Sequence, residues 1–295
     1  MTTNFTIPFI KGHGCLNTFI VFDLINSPQY YTDNFINHAH RALLEQKCDD
    51  ALILLPTKKT DNVSIPAAHM EVLEPDGSFA SFCGNGARVV TAYFEQVYGP
   101  GNYSLHSRET VRATTAHDNG SYSISMGKTM FNANLSEFVV DSNNVFRSTN
   151  DVLWHTVFCE LPEVLWYFTQ TGEPHLVTFD EITDEQLSTL GLTLNSNIYR
   201  TLFPLGININ AVTVNDHSSI QVRTFERGVN RITMACGTGS TSCAVLAHTL
   251  GLTKNSQIKA RNNGGTMIIT YDSPSNESIM YGPATLEFKY YELVF

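Results

Sequence analysis

The sequence has no Cys-x-x-Cys pair, no basic stripe, no membrane-length apolar run and no Gly/Ser-rich linker. Each lack excludes something. Its six cysteines (Cys15, Cys48, Cys83, Cys159, Cys236 and Cys243) are too sparse in 295 residues for a disulfide scaffold and wrongly spaced for structural zinc. In a reducing compartment a cysteine either fills core volume or does chemistry. The formal net charge is −10 and no basic patch interrupts it, so neither nucleic acid nor a membrane surface is an expected partner. The longest aliphatic run, Ala51 to Leu55, is far short of a membrane span. The opening MTTNFTIPFIKG has neither a basic start nor an apolar stretch before a cleavage site, so no secretory signal is expected and a cytoplasmic location is. What is present, 42% apolar and 16% charged residues over a length of about two domains, reads as a folded globular chain.

Strand-like runs dominate: Leu16 to Asp23, Ala51 to Leu55, Met70 to Leu73, Ser121 to Met126, His175 to Phe179, Asn208 to Val214, Ser219 to Phe225, Thr266 to Tyr271 and Ala284 to Tyr291. Helical patterns are fewer. Thr32 is placed to cap a helix with Phe35, Ile36, Ala39, Ala42 and Leu43 on one face, and Thr183 with Gln186 forms a capping box for a helix ending near Gly191. His38 and His40 fall on the first of these helices and are expected to face solvent rather than a metal.

The most informative feature is an internal repeat. FCGNGAR begins at Phe82 and ACGTGST at Ala235, each after an extended stretch and before a helical pattern that closes on a glycine, Gly99 or Gly251. Ala87, Val90, Phe94 and Val97 mark the apolar face of the first helix; Ala244, Val245, Ala247 and Leu250 mark the second. One unit used twice predicts two similar lobes, each wrapping strands around a central helix that starts at Cys-Gly-x-Gly.

A helix start presents unpaired N–H groups and the positive end of the dipole, and glycines let a ligand approach the backbone. It is therefore an anion site, and a cysteine seated there has its thiolate stabilised. Each repeat thus supplies a carboxylate cradle and a candidate base. Two such elements acting on one carboxylate suit removal of an α-proton from one face and its return to the other. Donors aimed at the carboxylate would stabilise the carbanion, and one sulfur would be thiolate while the other is thiol. Other uses of these glycines fit less well. Neither copy is a GxGxxG fingerprint, GTGSTS lacks the P-loop lysine, and a cysteine hydrolase would leave the second copy unexplained.

These residues resemble the diaminopimelate epimerase family, cofactor-independent amino-acid racemases with two catalytic cysteines. HGCLNTFIVFD (His13 to Asp23), PDGSFASFCGNGAR (Pro75 to Arg88), GEPH (Gly172 to His175), FPLGIN (Phe203 to Asn208), FERG (Phe225 to Gly228), ACGTG (Ala235 to Gly239) and GPA (Gly282 to Ala284) follow in the family's order. The resemblance implies an α/β fold of two pseudo-symmetric lobes, each a mixed sheet or barrel around a central helix. Residues 1–127 with a returning strand at 282–295 would form one lobe and residues 128–281 the other. It implies Cys83 and Cys236 as the acid/base pair, with His175 and Glu226 adjusting their protonation and Glu226 also receiving an ammonium. Gly84, Asn85, Gly237 and Thr238 would hold the α-carboxylate, while Asn17, Asn208 and Arg227 would contact substrate. No cofactor or metal is implied, and a homodimer is consistent with the resemblance. Cys15, Cys48, Cys159 and Cys243 match no catalytic position and are expected to be buried filler.

The chain departs from the family where the far end of diaminopimelate would be gripped. Glu74 and Glu173 stand where asparagines are usual, which would repel a distal carboxylate and favour a cationic end. The glycine-rich GxGxD segment appears as Glu45 to Asp50 (EQKCDD) with an extra acid, Thr18 replaces an aspartate, and Arg231 stands where an acid is expected. A basic amino acid is therefore the expected substrate; the resemblance, to a family with members specialised for histidine, puts histidine first, then lysine, ornithine or arginine. The alternatives are a divergent diaminopimelate epimerase, with Glu74 and Glu173 turned away or paired with Arg227 and Arg231, and a non-catalytic amino-acid-binding protein.

Overall fold

The computed structural model describes residues 6–57, 65–107, 110–149 and 152–294, so the first five residues of the N-terminal stretch read above lie outside it. Among the described residues no helix is long and apolar enough to cross a membrane. The chain divides into two compact units, Met1–Ser125 with Tyr281–Phe295, and Met126–Met280.

In the first unit Asn17–Asp23 runs parallel to Asp50–Leu55, with Phe19 opposite Asp50. The crossover carries α1 (Asp33–Gln46), capped by Thr32 and burying Phe35, Ala39, Ala42 and Leu43 as their spacing predicts. Asp50–Leu55 pairs antiparallel with Ala67–Leu73, Ala51 opposite Leu73. Ala67–Leu73 then runs parallel to Asn102–Ser107, and that connection carries α2 (Gly84–Tyr98). Asn102–Ser107 folds back onto Thr110–Ala116, while Thr285–Val294 returns to pair with Thr6–Gly14.

The second unit, after a single helical turn α3 (Ser142–Val145), repeats this order. Glu173–Thr178 runs parallel to Asn208–Asp216 with His175 opposite Asn208, and α4 (Asp184–Leu194) lies in the crossover behind its Thr183–Gln186 capping box. Asn208–Asp216 pairs antiparallel with Ser219–Glu226, Ile209 opposite Phe225. Ser219–Glu226 runs parallel to Gln257–Asn262 through α5 (Gly237–Thr249), and Gln257–Asn262 folds back onto Gly265–Asp272. Matching the two ladders register by register makes Phe19 the counterpart of His175, Asp50 of Asn208, Leu52 of Asn210, Glu74 of Glu226 and Cys83 of Cys236. The α/β fold expected from the repeat, strands around a Cys-Gly-x-Gly helix in each unit, is the one observed.

Burial follows the same plan. α5 is buried on every side from Gly237 to Ala247, the mark of a core helix, and α2 is buried from Gly84 to Ala92 and again at Phe94. Three expectations need correction. Val97 is 48% exposed because the last turn of α2 leaves the core. Cys159 is exposed, since it sits at the tip of the tight hairpin joining Leu153–Phe158 to Leu161–Thr171, where its thiol meets Glu160. The two helix histidines do not simply face solvent: both are half-buried, with His38 Nδ1 bonding the Asn34 carbonyl at 2.8 Å and His40 Nε2 the Pro75 carbonyl at 2.9 Å. Cys15, Cys48 and Cys243 are buried as expected.

Candidate active site

Cys83 is the N-cap of α2 in extended backbone (φ −124°, ψ 110°), and its Sγ accepts the Gly86 N–H at 3.3 Å. Cys236 caps α5 with nearly the same geometry (φ −123°, ψ 118°), its Sγ accepting the Gly239 N–H at 3.4 Å. Each sulfur thus sits at the positive end of a helix, beside the N–H groups of Gly84 and Asn85 or of Gly237 and Thr238. Both third-position glycines are required by close packing. A Cβ on Gly86 would lie 2.8 Å from Leu52 Cδ2, and one on Gly239 would lie 2.7 Å from Asn210 Oδ1.

Around Cys83 the polar groups form a chain of fixed direction. Arg88, fully buried, donates through Nη2 to Asn85 Oδ1 at 2.9 Å and to Cys15 Sγ at 3.6 Å, and through Nε to the Pro283 carbonyl at 3.2 Å. A guanidinium can only donate, so Asn85 must turn its oxygen to it and its NH2 to Asn17 Oδ1, 3.1 Å away. Asn17 therefore presents its own NH2 to any other group that approaches. Burial pulls the Arg88 pKa down, while the neighbouring sulfurs of Cys15 and Cys83 support its charge. Asp50, at the start of its strand, brings Oδ2 to 4.0 Å from Cys83 Sγ.

Around Cys236 the partners differ. Thr238 Oγ1 lies 3.5 Å from Sγ and 3.0 Å from His175 Nε2, and His175 Nδ1 lies 3.0 Å from Asn210 Nδ2. His175 is fully buried, and its pKa is pulled down to about 3, first by burial and then by the charge of Arg227. It is a neutral imidazole at ordinary pH, and it reaches the sulfur through the Thr238 hydroxyl.

Glu173 follows Gly172, whose φ of +80° turns the chain between Leu161–Thr171 and Glu173–Thr178. Its carboxylate forms an ion pair with Arg227, and the two side chains are only 7% and 11% exposed. Arg227 also donates to the Leu205 carbonyl, and its guanidinium lies 5.5 Å from the centre of the Phe138 ring. Asn208 clips this corner together: its Nδ2 donates to the Pro174 carbonyl at 3.1 Å, and its Oδ1 accepts the Arg227 N–H at 3.0 Å. Glu226 accepts from the Thr233 hydroxyl. In the first unit, Glu74 closes the Pro75–Ser78 turn, taking the Ser78 hydroxyl on Oε2 at 2.8 Å.

Comparison with known proteins bears on this arrangement. A family model described as diaminopimelate epimerase matches residues 167–287. Diaminopimelate epimerase of Rhizorhabdus wittichii is 31% identical over 296 aligned positions, covering 96% of this chain and 94% of that protein. The diaminopimelate epimerase of Methanothrix thermoacetophila is 30% identical, covering 94% and 93%. This chain belongs to the diaminopimelate epimerase family. It is an isomerase of the racemase and epimerase class. Among solved structures, a predicted epimerase from Pseudomonas aeruginosa superposes with a TM-score of 0.69 over 97% of this chain and 99% of that one, at 14% identity, which speaks to the fold.

Seen as a member of the diaminopimelate epimerase family, the chain carries its two cysteines on matching N-caps, and His175, Thr238, Asn210 and Thr224 form one cluster behind the second. Glu173, Arg227 and Asn208 form another. Four residues of this machinery escaped sequence reasoning: Asp50, Arg88, Asn210 and Thr224. Asp50 registered only as an extra acid, and Arg88 only as the end of a motif. Asn210 was detectable, since it lies two positions past Asn208 and so on the same face of the strand.

Proposed function

We propose that this isomerase inverts the α-carbon of a basic amino acid, histidine first, then lysine, ornithine or arginine, with Cys83 and Cys236 exchanging the α-proton and no pyridoxal phosphate or metal taking part. One sulfur removes the proton as thiolate while the other returns one as thiol. The N–H groups of Gly84, Asn85, Gly237 and Thr238 stabilise the carboxylate on which charge accumulates, and Glu226 receives the substrate ammonium. Asn17, Asn208 and Arg227 complete the binding set, with Glu74 and Glu173 as the acidic groups that distinguish it.

The observation that carries the choice of substrate is the pair of acids, Glu74 and Glu173, standing where the family has asparagines. The Glu173–Arg227 ion pair is the arrangement expected of the diaminopimelate alternative and supports that second reading. The arginine that would welcome a distal carboxylate already has one as a nearly buried neighbour. A second carboxylate there would find the guanidinium already neutralised and would gain less attraction than at an unpaired arginine. A cationic or neutral side chain does not depend on that attraction. Retention of Arg227 within FERG, together with relatives named diaminopimelate epimerase, supports diaminopimelate as the second reading.

Incubation with L-histidine, lysine, ornithine, arginine and LL-diaminopimelate in D2O, followed by NMR of the α-proton, tests both. Loss of the α-proton signal for a basic amino acid is expected. Exchange with diaminopimelate alone would replace the first reading by the second, and no exchange with any of the five would overturn the enzymatic proposal for all of them.

A further inference from the structure

The two halves of the repeat match in backbone but not in what stands behind the cysteine. At the positions of His175 and Asn210, the first unit has Phe19 and Leu52, both fully buried and apolar. A buried polar group costs free energy unless every partner is supplied, so a polar column where its counterpart is hydrocarbon calls for a use.

The direction of that column can be worked out from groups that have no choice. The Leu176 carbonyl only accepts, and Asn210 Nδ2 lies 3.0 Å from it, so the Asn210 NH2 points toward Leu176 and His175. Asn210 Oδ1 faces the other way and accepts the Thr224 hydroxyl at 2.8 Å; a flipped amide would set this oxygen against the Leu176 carbonyl oxygen. His175 Nδ1 must then be the unprotonated, accepting nitrogen. Neutral imidazole has one N–H, so it sits on Nε2 and is donated to Thr238 Oγ1. A Cys236 thiolate can only accept, so the free Thr238 hydroxyl proton is directed to its Sγ, 3.5 Å away.

We propose that Asn210 and Thr224 are positioning residues that lock His175 as its Nε2–H tautomer and thereby make the Thr238 hydroxyl a permanent donor to the Cys236 sulfur. The proposal deepens the two-thiol chemistry above and takes its catalytic meaning from it. Cys236 then receives a side-chain donor as well as the Gly239 N–H, a setting that favours its thiolate. The corresponding second position after Cys83 is Asn85, whose amide is held by Arg88 and Asn17. The low proton affinity of His175 fits this role, since a second ring proton would turn Nδ1 into a donor facing the Asn210 NH2.

Two measurements on the substrate-free protein test this. Nitrogen-15 NMR of His175 should show Nε2 protonated and Nδ1 bare at neutral pH; a proton on Nδ1 would overturn the proposal. In a Cys83→Ser background, thiolate absorbance against pH should show Thr238→Val lowering the Cys236 thiolate fraction near neutrality about tenfold, with Thr238→Ser restoring it. Asn210→Leu should release the tautomer, give both ring forms and move the thiol midpoint in the same direction. Combined with Thr238→Val it should add nothing further, because it acts through that hydroxyl. An unchanged midpoint in Thr238→Val, or additive shifts, would refute the relay. Should Asn210→Leu not fold, the wild-type tautomer and the valine–serine comparison still decide. None of these readouts needs turnover, so a failure of the proposed substrate and a failure of the relay are separable.

Discussion

Replacing Glu173 by asparagine tests the substrate argument at its root. The ion pair it forms with Arg227 is nearly buried, with side chains 7% and 11% exposed, so the change strips a buried guanidinium of its counter-charge. Breaking such a pair by removing one partner costs about 3–5 kcal/mol. The Leu205 carbonyl and the Phe138 ring remain beside Arg227, which places the loss at the lower end, about 3 kcal/mol. At about 2–4 °C per kcal/mol for a unit of this size, calorimetry should register a fall in Tm of about 6–12 °C. The same change leaves a positive site that a distal carboxylate can fill. Saturating LL-diaminopimelate, at about a hundred times its Kd, should return about 2.7 kcal/mol of stability, and L-histidine at the same concentration should return less because it binds more weakly. In α-proton exchange, the ratio of kcat/KM for diaminopimelate over histidine should rise about a hundredfold, the equivalent of about 2.7 kcal/mol of regained attraction to Arg227. A Tm within 2 °C of the wild type, with an unchanged substrate ratio, would show that the pair neither holds Arg227 nor governs selectivity.

Three further outcomes follow from the site. Cys83→Ala and Cys236→Ala should each abolish racemisation while leaving the far-ultraviolet circular dichroism unchanged; a single variant with full activity would exclude the two-base scheme. Gly239→Ala places a methyl group 2.7 Å from Asn210 Oδ1 and 3.2 Å from both Cys236 Sγ and His175 Cε1, so it should lose about 1–3 kcal/mol in urea unfolding and most of its activity. His175, pulled from its ordinary 6.5 to about 3, binds its proton in the unfolded chain before the folded one. Its contribution to stability is therefore full above pH 6.5 and declines by about 1.4 kcal/mol per unit as pH falls toward 3. The loss between pH 7 and pH 5 should be about 2 kcal/mol larger in the wild type than in His175→Gln, and equal losses would show that the group does not titrate as described.

Much of the local architecture is legible along the chain. Thr32 and Thr183 announce helix starts, the strand runs fall where alternation and β-branched residues place them, and the doubled Cys-Gly-x-Gly marks both core helices. These signals are readable because a cap or an amphipathic stripe is satisfied by residues within a turn or two of one another. The exceptions are equally local in cause: Val97 and Cys159 look like core residues in sequence, yet one lies on a helix end leaving its unit and the other on a hairpin tip.

The order of motifs places the chain in its family and names both cysteines without any coordinates. Which acid meets which base is decided only by the folded chain. Glu173 could have repelled a ligand or paired with either nearby arginine; strand register brings it to Arg227, 54 positions away. Likewise nothing in the motifs distinguishes the surroundings of Cys83 from those of Cys236. The difference arises because equivalent ladder positions hold Phe19 and Leu52 in one unit and His175 and Asn210 in the other. Hydrogen-bond direction and charge pairing depend on distances of a few ångströms between strands remote in sequence, and only tertiary packing sets those distances.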